Sequence, residues 1–94
     1  MNEKESIKQI VTLIEDLQRQ MEAHLPLLQQ EVEQIIQTKS TDSKAIEHIF
    51  DTLYGYLAHG MGEGLYIQLL QYYKTVDAEG AAFYWDFFEE AMEE

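Results

Sequence analysis

Nine apolar residues, Ile7, Val11, Ile14, Leu17, Met21, Leu25, Leu28, Val32 and Ile35, succeed one another at steps of three or four. That spacing is one face of an α-helix and of nothing else. Ile10, Leu13 and Ile36 widen the face, and Glu15 with Arg19 four residues on forms a favourably oriented pair on the outside. Asn2 with Glu5 three residues later fits an N-cap with its reciprocating glutamate. At 1.5 Å per residue, a helix over residues 3–38 is roughly 50 Å long.

Pro26 falls inside the stripe without disturbing its phase. A proline removes the hydrogen bond to the carbonyl four residues back, so residues 3–38 form either one kinked helix or two helices. In the second case the break lies near His24 and Leu25, and Pro26 takes the favoured first helical position. Helix-to-helix connections usually take ~2 to 8 residues, and almost none are available here, which favours the kinked helix.

The TKSTDS segment from Thr38 to Ser43 is the polar loop of the first half, with Ser40, Thr41 or Asp42 able to cap the next helix. Three shorter helices are expected after it, over 43–59, 63–75 and 78–92. The first presents Ile46, Ile49, Phe50, Leu53, Tyr54 and Leu57 on one face. The second is apolar around most of its circumference, which calls for more than one neighbour and a central place. The third starts behind Asp77 as N-cap and turns Ala81, Tyr84, Trp85, Phe88 and Met92 inward. All eleven aromatic residues lie between Phe50 and Phe88, and Gly60, Gly62 and Gly64 punctuate the turn in their midst. The expected fold is therefore all-α: a bundle of four helices, five if the chain reverses at Pro26, with a long N-terminal helix packed against an aromatic-rich C-terminal hairpin in a single domain.

Charge narrows the function classes. The net charge is -12, from 18 acids and 6 bases, and beyond residue 44 the only base is Lys74. Nucleic-acid binding depends on lysine and arginine neutralising phosphates, and anionic membranes select basic surfaces in the same way, so neither is an expected partner. No apolar run approaches the ~18 residues of a membrane helix, and no signal-peptide pattern opens the sequence, so a cytoplasmic address is expected.

Chemistry finds little foothold. The GMGEG turn lacks the strand and the spacing of a dinucleotide fingerprint. His48 and His59 stand about 16 Å apart along any common helix, and no metal-binding helix motif accompanies them or His24. There is no cysteine, and the three serines, Ser6, Ser40 and Ser43, look like helix starts or loop. No enzyme, no cofactor and no metal are expected.

Two surfaces remain as candidates. Asp86, Glu89, Glu90, Glu93 and Glu94 crowd the end of the last helix, where the helix dipole favours cations. With Tyr84, Trp85, Phe87 and Phe88 supplying apolar anchors, this segment suits a basic protein partner. Ile7, Ile10, Ile14, Leu17 and Met21 alternate steps of three and four, the seam of a coiled coil, and suit self-association as a homodimer. The function expected is that of a regulatory, adaptor or inhibitor-like interaction module. Its alternatives are an acidic nucleic-acid mimic or immunity- or antitoxin-type protein that binds a basic partner, and a purely structural assembly component.

Overall fold

The computed structural model describes residues 3–93, and Asn2, with its expected capping role, lies outside them. Four helices occur in order: α1 Glu3–Gln37, α2 Ser43–Leu57, α3 Glu63–Val76 and α4 Ala78–Met92. No strand occurs among the described residues. The chain does not reverse at Pro26, which sits inside α1. Its missing N–H leaves the Glu22 carbonyl without its usual donor four residues on, and both residues are exposed.

The capping residues explain where the helices begin and end. Lys39, with φ of 52°, closes α1: its N–H bonds the Ile36 carbonyl and the next N–H, of Ser40, reaches back to Ile35. Gly60, φ 71°, repeats this geometry after α2, with bonds from Gly60 to Leu57 and from Met61 to Tyr56. Asp42 accepts from the Ala45 N–H to start α2. Asp77 ends α3 and also starts α4 by accepting from the Gly80 N–H at 3.1 Å. Gly62, φ 81°, is required as glycine twice over, because a Cβ there would also stand 3.2 Å from Leu53.

Core and shape result from how the helices share their faces. α2 and α3 each pack against all three other helices, whereas α1 and α4 do not meet. Phe50 is the hub, stacked on Tyr84 with ring centroids 4.5 Å apart and set edge-on to Tyr66 at 5.0 Å. The Tyr66 hydroxyl donates to the Tyr84 carbonyl at 2.6 Å, tying α3 to α4, and the Tyr72 hydroxyl donates to the Ser40 carbonyl at 2.6 Å, tying α3 to the α1–α2 loop. From α1 only Leu28 and Val32 are fully buried in this core, with Met21, Leu25, Ile35 and Ile36 half-buried at its edge. The first five turns of α1 project from the bundle as an arm, which gives the molecule extents of 54 × 27 × 19 Å.

Three details differ from the sequence expectation. Arg19 pairs with Asp16, Nη2 to Oδ1 at 3.3 Å, instead of with Glu15; three residues apart is as reachable as four on a helix surface. In α2, Tyr56 is buried and Tyr54 is exposed. In α4, Trp85 and Met92 turn outward while Phe87 and Ala91 are half-buried. Both shifts are small rotations of a helix whose apolar arc is wider than the neighbours that cover it.

Candidate functional site

On the arm, Ile7, Ile10, Val11, Leu13, Ile14 and Leu17 are between 47% and 68% exposed, against 0% for Val32 farther along the same helix. Four of the five residues expected to form a self-association seam, Ile7, Ile10, Ile14 and Leu17, thus share one open face, and Met21 marks the point where the head, formed by α2–α4 packed on the second half of α1, begins to cover it. Val11 belongs to the nine-residue apolar stripe and Leu13 to its flank, and both share the open face.

α4 carries the second surface. Asp86, Glu89, Glu90 and Glu93 are all exposed, and at 100° per residue they fall within an arc of about 100°. Aromatic rows border this arc. On one side Phe83 meets Phe87 edge-on at 4.7 Å, and Phe87 meets Tyr54 of α2 at 5.5 Å. On the other, Trp85 stacks against Phe88 at 5.6 Å. Tyr84, expected among the contact residues, is only 8% exposed and serves the core, stacked on Phe50. Phe83, 57% exposed, takes its place at the surface. In sequence Phe83 reads as widening the inward face of α4; in the fold it borders the acids. Glu94 lies outside the described residues.

Between α3 and α4 runs an open groove of about 530 Å³, lined by Ile67, Leu70, Gln71 and Lys74 from α3 and by Ala78, Ala81, Ala82 and Trp85 from α4. Lys74, the one base beyond residue 44, lines the same groove as Trp85.

Compared with known protein families, curated proteins and solved structures, the chain matches none. Function has to be read from the geometry.

The ionisable groups with displaced pKa values are tyrosines of the core. Burial, aided by the carboxylates of Asp51 and Glu47, pushes the Tyr84 hydroxyl up to about 12. Burial also raises Tyr66, Tyr73 and Tyr56. The Tyr73 hydroxyl lies beside Ser43 and Asp77 without completing a hydrogen bond. His24, His48 and His59 occupy separate stretches of helix or turn. Among the described residues no three histidine, aspartate or glutamate side chains gather as a metal-binding group, and no helix is long and apolar enough to cross a membrane.

Proposed function

We propose that this chain is a non-catalytic protein-interaction module that self-associates through the arm and offers the acidic, aromatic-bordered face of α4 to a basic protein. The observation that carries the reading is the arm: six apolar residues stand about half exposed in a molecule most of whose other apolar residues close a dense core. Burying an isoleucine or leucine side chain completely is worth about 1.5–3 kcal/mol. Covering six half-exposed ones in each of two copies is therefore worth on the order of 10 kcal/mol, the size needed to offset the ~4–15 kcal/mol cost of association.

The acids of α4 support the second half of the reading. A basic surface is drawn in by the long-range field, and the bordering Phe83, Phe87 and Trp85 supply the apolar area that holds it. Glu89→Lys combined with Glu90→Lys should weaken capture of a basic partner at least tenfold and leave helicity unchanged. Retention at wild-type strength removes the acidic face from the account. The regular exposure of four carboxylates along one arc also favours a narrower form of this reading, in which the partner's nucleic-acid site is the target. DNA would then compete with this protein for the same partner, and simultaneous binding of both would discard that form.

A further inference from the structure

We infer that the arm face is covered by the arm of a second copy running antiparallel, with the twofold axis at the level of Thr12; this rests on the reading of the arm as a protein-contact surface. The six exposed residues are placed alike in both directions about Thr12. Val11 and Leu13 lie one residue from it, Ile10 and Ile14 two, and Ile7 and Leu17 five. At 100° per residue, Ile10 and Ile14 fall about 20° either side of the line opposite Thr12, Ile7 and Leu17 about 40°, and Val11 and Leu13 about 80°. The patch is therefore centred, in height and in direction, on a single point of the helix surface. Such a patch is self-complementary about a twofold axis: Ile7 comes level with Leu17 of the second copy, and Ile10 with its Ile14.

The head fixes the polarity. Ile7, Ile14, Met21 and Leu28 recur every seven residues along one face, and by Leu28 that face is buried in the head. A parallel helix in register would bring a second head to the same level on the same face. Packed helices lie ~8–10 Å apart, and a molecule 27 × 19 Å in cross-section does not fit twice into that space. An antiparallel helix brings residue 3 of one copy level with residue 21 of the other, where the head begins, and carries its own head past the opposite end of the arm.

Charge points the same way. Residues 3–22 hold five acids and three bases, a net of -2, whereas residues 23–94 hold thirteen acids and three bases, a net of -10. The segment that would be shared carries only two of the twelve net negative charges. Antiparallel pairing separates the two Met21 positions by eighteen residues of helix, about 27 Å, well beyond the ~8 Å screening length at physiological salt. Parallel pairing would set two such heads side by side.

The sequence has no cysteine, so one introduced residue carries a spin label uniquely. Thr12→Cys and Arg19→Cys place labels on the outer side of the arm. The expected result is a light-scattering mass of twice the 11.0 kDa chain, undiminished at high salt, with the label-to-label distance longer at residue 19 than at residue 12. The axial offset responsible for the difference is about 21 Å at residue 19 and zero at residue 12. Ile14→Lys should halve the mass while circular dichroism shows the helices retained. Equal distances at the two positions would mean a parallel pair, and a mass of three or four chains a larger bundle; either overturns this geometry but keeps the arm as a contact surface. A monomer at every concentration and salt overturns the second copy as occupant. If Ile14→Lys then also leaves capture of other proteins unchanged, the reading of the arm as a contact surface falls with it.

Discussion

The two halves of α1 share one apolar period and have opposite fates. Val32, eighteen residues beyond Ile14 on the same helix, is fully enclosed by the head, while Ile14 is 47% exposed. Sequence period records which side of a helix is apolar; what covers that side depends on where the rest of the chain ends up. Here α2, α3 and α4 are 14 or 15 residues each, about 21–23 Å at the usual rise, and cover less than half of a helix of 35. The remainder of the apolar face is left open.

The sharpest way to test this division is to truncate an aromatic of the head and an aliphatic of the arm. Phe50→Ala should cost about 3–5 kcal/mol in denaturant unfolding, since it empties the hub on which three tyrosine rings pack. Ile10→Ala should change the stability of the dilute protein by less than about 0.5 kcal/mol. Its cost should appear only as the concentration rises and association contributes. Equal losses for both at low concentration would mean that the arm is folded against the head.

Within the head, the buried hydroxyls give a smaller and more discriminating contrast. Tyr66→Phe leaves the Tyr84 carbonyl without its 2.6 Å donor and should cost about 1 kcal/mol. Tyr73→Phe removes a hydroxyl that has no hydrogen-bond partner and should be neutral or stabilising. pH separates the head from the arm as well. Tyr84 holds its proton up to about 12 when folded, against 10.0 when unfolded. As pH rises above about 10 the unfolded chain loses this proton first, so stability is full below that value and declines towards 12. Alkaline titration should therefore melt the head, and Tyr84→Phe should flatten that slope; an unchanged slope would assign the loss elsewhere.

The smallest effect concerns the junction behind α1. Lys39 adopts the left-handed conformation that Gly60 adopts behind α2. Lys39→Gly should stabilise by about 0.5–1 kcal/mol in thermal unfolding, and a loss would show that the lysine side chain contributes more than its backbone strain costs.

Much of this architecture is legible in the chain. The unbroken phase of apolar residues across Pro26 carries α1 through as one helix, and Asp77 and Gly60 mark their boundaries because few residues suit those backbone positions. The rotations of α2 and α4 are not legible. Tyr54 and Tyr56, or Trp85 and Phe87, are similarly apolar, and only the placement of neighbouring helices decides which is enclosed. The same holds for the candidate surfaces. Acids and aromatics on α4 are visible in sequence, and Tyr84 reads there as inward, but that it is closed off from a partner by its stacking on Phe50 while Phe83 stays at the rim depends on where the other helices lie.

A projecting arm also changes how the molecule moves through solvent. A compact chain of 94 residues has a radius of gyration of about 12 Å, and this one has 16.1 Å. Drag depends on shape as well as mass, so a single copy should sediment slowly and leave a sizing column early, in the place of a heavier sphere. Two copies overlapped along their arms would form a dumbbell longer still, with a frictional ratio that no globular standard reproduces.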